Sequence, residues 1–165
     1  MSFLYNTCVE VIVLKKIYSS VGVLATKYED ELYGMAVAWV FQVSFAPLLV
    51  AVGVGKNRRT LEGIRKAGRF AVSLMSEDNL DVVLRFGSKS GNKWSGTQYV
   101  LIDDVPVIDG AIEYFTAEVV NMVETGDHVL VIGKVMTERT VDDKPPILYG
   151  EDGLIFIKDM EIKEF

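Results

Sequence analysis

From Gly34 to Gly55 the chain carries no charged residue. A run of this kind has to be buried in a core, span a membrane or cover an interface. Glu29, Asp30 and Glu31 precede it, and Lys56, Arg58 and Arg59 follow it, which is how a membrane span is flanked. Against a span stand Pro47 within the run, the polar Gln42 and Ser44, and the heavy use of valine. Proline interrupts helix, and β-branched residues favour strand. The run therefore reads as two buried strands, Gly34–Ser44 and Leu48–Val54, joined by a turn at Phe45-Ala46-Pro47. No membrane association is expected.

The rest of the chain follows the same alternation of strands and short helices. Thr7 to Tyr18 reads as a short helix with Val9, Ile12, Val13 and Ile17 on one side. Val21 to Tyr28 is a predicted strand, closed by the acidic turn at residues 29–31. Arg58 to Ala67 reads as a helix, with Asn57 as N-cap and Gly68 as its stop. Phe70 to Met75 is a strand, and Glu77 to Arg85 a helix burying Leu80, Val83 and Leu84. Phe86 to Tyr99 is a polar loop. Ala111–Glu124 and His128–Thr140 read as long strands around the tight turn Thr125-Gly126-Asp127. Ile147–Tyr149 and Leu154–Ile157 are short closing strands. With no repeat or linker, residues 1–165 are expected to form a single domain. Mostly strands with short helices in the connections predict a mainly β fold, a closed or nearly closed barrel.

Composition removes several functions. Acidic residues outnumber basic ones 23 to 17, giving a net charge of −6 and a pI near 4.8. An acidic chain without a basic tract is not expected to bind nucleic acid. Cys8 is the only cysteine and His128 the only histidine, so an internal disulfide and a zinc site of Cys and His ligands are both excluded. Near the N-terminus, Lys15 and Lys16 follow the apolar Val11–Leu14 instead of preceding it, and Glu10 interrupts. No export signal is expected, and a reducing cytoplasm fits. Half of the residues are apolar and mean hydropathy is +0.26, which for a chain of 165 residues points to an apolar ligand or a shared surface.

The nucleotide motifs fail. Gly53-Val54-Gly55-Lys56-Asn57-Arg58 begins like a dinucleotide fingerprint, but Arg58 stands at the third glycine. A Walker loop fails at Val50 and Asn57. What remains is a strand ending in glycines and a helix opening with Lys56, Asn57, Arg58, Arg59 and Thr60. Such a helix start favours an anion, and is equally read as a capped surface helix with solvated cations. The loop from Arg85 to Trp94, with Lys89 and Lys93, reads as a lid, a second anion contact or a solvated connection. Asp103-Asp104 and Asp142-Asp143 read as solvated turns, with a weak metal as the alternative. His128 opens a strand after a turn, and no nucleophile is placed beside it by spacing.

Several segments, in order, resemble the flavin reductase-like, FMN-binding split-barrel family. They are Val21–Thr26; Gly34-Met35-Ala36-Val37-Ala38-Trp39-Val40-Phe41-Gln42-Val43-Ser44-Phe45-Ala46-Pro47; Lys56-Asn57-Arg58-Arg59-Thr60; Gly68–Met75; Gly126-Asp127-His128; and the Leu148-Tyr149 strand. The likeness runs from about residue 7 to about residue 157, and Val40–Ser44 is closest to ferric reductase-like and flavoredoxin-like members.

The resemblance implies a homodimeric split β-barrel with one tightly bound FMN per subunit near the dimer interface. It implies isoalloxazine contacts along Ala36, Val37, Ala38, Trp39, Val40, Gln42, Val43 and Ser44, largely through the main chain. It implies the phosphate beside Lys56, Asn57, Arg58 and Thr60, with Arg85 and Lys93 as further contacts. His128 is expected to position the nicotinamide of NAD(P)H, with no protein side chain acting on the substrate covalently and no metal. Many relatives have a small polar residue where Trp39 stands, so Trp39 is expected either to stack on flavin or to pack across the dimer. The implied activity is hydride transfer from NAD(P)H to flavin, with electrons passing to free flavin, a ferric chelate or a protein. An FMN electron carrier with little direct NAD(P)H activity is the alternative, and an interaction module a third reading.

Overall fold

The computed structural model describes residues 12–89 and 91–164. In chain order the elements are strands β1 (Ser19–Ser20), β2 (Gly22–Tyr28), β3 (Glu31–Val37), β4 (Val40–Ser44) and β5 (Leu49–Gly55), then helix α1 (Arg59–Ala67) and β6 (Arg69–Leu74). A 3-10 turn (Glu77–Asn79) leads into helix α2 (Leu80–Gly87). Strands β7 (Tyr99–Ile102), β8 (Val105–Ile108), β9 (Glu113–Glu124), β10 (His128–Thr140), β11 (Leu148–Gly150) and β12 (Gly153–Ile155) complete the fold.

Seven strands form one antiparallel sheet in the order β3-β2-β6-β9-β10-β5-β4. Its outermost strands, β3 and β4, are consecutive in the chain, and only Ala38 and Trp39 separate them. Two residues cannot cross a flat sheet of seven strands, so the sheet curls until its edges meet. The curl closes on one apolar core. Leu24 of β2, Met35 and Val37 of β3, Val52 and Val54 of β5, Phe70 and Val72 of β6, Phe115 of β9 and Val129 and Val131 of β10 share it. Leu61 and Ile64 of α1 join the same cluster. Gly68 ends α1 at φ 71°, and its N–H bonds Ile64 O at 2.8 Å, a left-handed stop that glycine adopts without steric cost.

A second apolar cluster lies outside the barrel. Val83 and Phe86 of α2 pack there with Val21, Val23, Met75, Ile108 and Ile147. The β7–β8 hairpin turns at Asp103 and Asp104, both with positive φ. Asp103 accepts from the hydroxyls of Thr116 at 2.6 Å and Thr137 at 2.7 Å, which ties the hairpin to β9 and β10.

Several sequence expectations need correction. Gly34–Ser44 is two strands, because β3 pairs with β2 and β4 pairs with β5 at the other edge of the sheet. Nor are both strands buried: Phe41 and Val43 of β4 are about half exposed, and Phe45 in the following turn is 91% exposed. Arg58 holds the N-cap position expected of Asn57, and no side chain caps α1. In α2 the buried positions are Val83 and Phe86, while Leu84 is exposed. Phe86 and Gly87 thus belong to the helix, not to the polar loop. The β1 strand and the β7–β8 hairpin were not anticipated. Residues 12–18 show a turn and no helix; the remainder of the Thr7–Tyr18 helix, Cys8, the export-signal region at residues 1–11 and Ser90 of the polar loop lie outside the described residues. No helix among the described residues is long and apolar enough to cross a membrane.

Candidate functional site

Strand register gathers the site. In the β5–β10 pair His128 stands opposite Gly55, and Lys56 N–H bonds Asp127 O at 3.0 Å. The Gly126-Asp127-His128 turn therefore abuts the chain just before α1. At the other side, Trp39 O accepts from Gly53 N at 2.9 Å, so the crossing between β3 and β4 rests on β5 two residues earlier. The Trp39 and His128 rings lie 4.7 Å apart at 45°. A side chain on Gly53 would come within 3.2 Å of the Trp39 indole, so glycine there lets the indole lie on the strand.

These groups line a shallow cavity of about 180 Å³ formed by Trp39, Phe41, Gly53, Thr125, His128 and Leu130. Its walls are mainly apolar. His128 Nδ1 is 2.7 Å from Asp127 Oδ1. A carboxylate only accepts, so Nδ1 carries the proton, and in the neutral ring Nε2 is left as an acceptor. Nε2 has no partner among the described residues.

The basic residues divide. Lys56 is held by Glu124 at 2.8 Å and by Thr125 O at 3.3 Å. Arg59 pairs with Glu31 and lies over the Tyr33 ring. Arg85 donates to Thr97 at 2.7 Å and sits 3.6 Å from Asp81. Arg58 and Lys93 have no carboxylate partner among the described residues; Lys93 donates only to Phe86 O, at 3.0 Å, at the end of α2. Burial and the nearby Arg58 guanidinium push the Lys93 ammonium below its ordinary 10.5. The two like charges therefore interact near the uncapped first turn of α1. Thr60, in that turn, is 4% exposed, and its hydroxyl is not taken by any described residue. Cations without counter-ions, a free hydroxyl and the positive end of a helix suit an anion of phosphate type.

The loop carrying Lys93 is fixed by aromatics. Trp94 meets Phe86 at 5.0 Å and Tyr99 at 5.3 Å, edge to face. Gly34 of β3 lies under both Phe86 and Trp94; a side chain there would meet the Phe86 ring at 2.6 Å.

Of the residues expected to hold a cofactor, Asn57, Arg58 and Thr60 share the start of α1 and Lys93 lies near enough to Arg58 for their charges to interact, whereas Lys56 and Arg85 are engaged by protein partners. Along the strand, Val37 points into the barrel core and offers only its main chain, and Ala36 and Ala38 pack toward the outer cluster. Val40 is partly buried against the barrel core, and Gln42 donates to Ser44 O at 3.3 Å. Trp39 and Val43 are half exposed. Two participants were missed. Asp127 orients His128, and its place directly before the histidine was a usable sign. Gly53, which seats Trp39, has no sign short of the strand register. A larger cavity of about 240 Å³ lies between residues 144–147 and 156–158, but its cations Lys144 and Lys158 are paired with Asp78 and Glu77. The Asp103-Asp104 and Asp142-Asp143 pairs form no metal-ligand cluster among the described residues.

The fold and site describe a curled-sheet barrel with cations that lack carboxylate partners at the start of α1 and a slot walled by aromatic rings. The chain belongs to the flavin reductase-like domain family, whose profile matches residues 14–156. It is 33% identical to a flavin reductase of Pseudomonas putida over 133 residues, 80% of this chain and 78% of the relative. It is 30% identical to an NADH:riboflavin 5'-phosphate oxidoreductase of Streptomyces pristinaespiralis over 120 residues, 71% of this chain and 68% of the relative. The crystal structure of a nitrilotriacetate monooxygenase component B homologue from Mycobacterium thermoresistibile has a TM-score of 0.83 at 27% identity, covering 91% of this chain and 87% of the other.

Proposed function

We propose that this protein is an NAD(P)H-dependent oxidoreductase that holds FMN and delivers its electrons to free flavin, a ferric chelate or a protein acceptor. The observation that carries the reading is that Arg58 and Lys93, neither held by a carboxylate among the described residues, lie near enough at the start of α1 for their charges to interact, one strand pair from the His128–Trp39 slot. The Streptomyces relative, whose name specifies NADH and riboflavin 5'-phosphate, supports the choice of reductant and of FMN.

The residues present fit the cofactor. Arg58, Lys93, Thr60 and Asn57 would hold its phosphate, and the Ala36–Ser44 segment would face its ring system through main-chain groups. Bound flavin would supply the redox chemistry between the reduced nicotinamide and the acceptor. The protein's part is to orient and exclude. Asp127 fixes the His128 ring, and Nε2 accepts a hydrogen bond from the nicotinamide carboxamide. The apolar slot keeps water from the donor ring.

In this proposal residues 1–165 form one domain, two copies associate, and the protein works in the cytoplasm. Trp39, Phe41, Val43 and Phe45, exposed along one edge of the sheet, form the apolar surface a second copy covers, and sedimentation should give twice 18.4 kDa. Anaerobic mixing with NADH or NADPH tests the activity. A yellow protein that bleaches is a reductase; a yellow protein that stays oxidised and accepts electrons only from a reduced protein is the carrier. His128→Ala should retain FMN and bleach more slowly. Unchanged stopped-flow reduction in that variant would remove His128 from the site.

A further inference from the structure

Lys93 is held to the last turn of α2 at both of its ends. Its ammonium donates to Phe86 O at 3.0 Å, one of the carbonyls that a helix C-terminus leaves without an intrahelical donor. Its own carbonyl accepts from the Thr97 hydroxyl at 2.8 Å. That hydroxyl accepts in turn from the Arg85 guanidinium at 2.7 Å. A guanidinium only donates, and a hydroxyl has one proton to give. The chain therefore runs one way, from Arg85 through Thr97 to the Lys93 main chain. Hydrogen bonds in series polarise one another, and here the first donor is charged. Arg85 is itself oriented by Asp81, one turn earlier on α2, at 3.6 Å. Between the two ends the backbone turns tightly. Thr97 N–H bonds Trp94 O at 3.0 Å, and Gly96 has φ 75°, which brings the Thr97 hydroxyl back over Lys93. Among the described residues Arg85 has no hydrogen bond or ion pair with the start of α1.

We propose that Arg85 is a positioning residue of the phosphate site: through the Thr97 hydroxyl it holds the Lys93 main chain so that the ammonium stays near Arg58, and it does not itself touch the ligand. The inference rests on the FMN reading above and gives Arg85 a role other than the direct contact its charge suggests. A free lysine side chain loses much rotamer freedom when it is fixed on a ligand. Clasping Lys93 at its carbonyl and at its ammonium spends that entropy before the phosphate arrives. An ammonium has three donors, and the bond to Phe86 O leaves the others for the ligand.

The test is a double-mutant cycle on the full chain, read by fluorescence titration with FMN and with riboflavin. Arg85→Gln should weaken FMN binding about threefold to tenfold, the effect of one hydrogen bond lost, and leave riboflavin binding unchanged. In a Lys93→Met background the same substitution should change FMN affinity by less than about twofold, because a residue that acts through Lys93 has nothing left to position. Thr97→Val removes the hydroxyl without touching any charge and should reproduce the Arg85→Gln loss. Thr97→Ser, which keeps the hydroxyl, should bind FMN as the natural protein does. The Thr97 pair also decides the matter if Arg85→Gln does not fold. Equal FMN losses from Arg85→Gln with and without Lys93 overturn the proposal and put the guanidinium on the phosphate. A parallel fall in riboflavin affinity overturns it as well, since a merely structural role would weaken both ligands. So does FMN binding that is unchanged in Arg85→Gln and in Thr97→Val. Failure of the broader reading looks different: the natural protein would not distinguish FMN from riboflavin, and Lys93→Met would bind both as the natural protein does.

Discussion

The cations around the start of α1 fall into two groups that composition cannot separate. Lys56 and Arg59 each hold a carboxylate, from Glu124 and Glu31. Arg58 and Lys93 hold none among the described residues, and they stand close enough for Arg58 to depress the Lys93 ammonium. The first group fastens the β9–β10 turn and β3 to the helix start. The second costs the empty protein free energy, because desolvation and like-charge repulsion both oppose the charged form of Lys93. In the proposed function a dianionic ligand would supply the opposite charge that offsets both costs. In the proposed reading the unneutralised charges belong to the ligand site and the ion pairs to the scaffold.

Removing Arg58 strikes this division hardest. Arg58→Ala deletes a charge-assisted hydrogen bond and should weaken FMN binding about tenfold to a hundredfold. Riboflavin, which has no phosphate, should bind the variant and the natural protein alike, as fluorescence titration would show. An equal loss for both ligands would move the phosphate elsewhere.

Lys93 sharpens the comparison through pH. Its folded pKa lies below 10.5, so within the window from that lowered value up to 10.5 the unfolded chain carries more protons than the folded one. Stability of the FMN-free protein should then rise as pH climbs through the window. FMN affinity should move the opposite way, falling as Lys93 loses the proton that the phosphate requires, while riboflavin affinity stays level. Lys93→Met should abolish both trends and lower FMN affinity by about tenfold at neutral pH. Persistence of the same FMN trend in Lys93→Met would assign it to another group.

How much of this the sequence disclosed depends on distance along the chain. Asn57, Arg58 and Thr60 are adjacent in one helix start, and His128 follows its turn directly, so local pattern was enough to mark them. Lys93 comes within the electrostatic range of Arg58 because α2 and the Trp94 cluster fold the loop back over Gly34, and no local pattern carries that. Hydropathy marked Gly34–Gly55 as strand without saying which part faces the core, since β4 and β5 both lack charge and only β5 is enclosed. The α2 face was misjudged because its first turn is 3-10 and the α-helix begins at Leu80, which brings Phe86 inward and leaves Leu84 outside. The Asp103-Asp104 turn was read from the sequence, but its flanking strands β7 and β8 were not, because each is only four residues long.

The smallest expected effect tests the other side of the division. Lys56 was expected at the phosphate, yet its ammonium is committed to Glu124 and to Thr125 O, and exposed pairs of this kind contribute little. Lys56→Ala should leave FMN affinity within about twofold, since the neighbouring cations that lack partners supply the charge. Its main consequence should be a looser Thr125–Asp127 turn, seen as faster amide exchange at residues 125–127. If FMN affinity falls instead by as much as in Arg58→Ala, Lys56 must leave Glu124 when the phosphate arrives. Glu124→Gln decides between these outcomes. It frees Lys56 without removing it, so it should tighten FMN binding if Lys56 swings to the phosphate. If Lys56 belongs to the scaffold, the same variant should leave FMN binding unchanged.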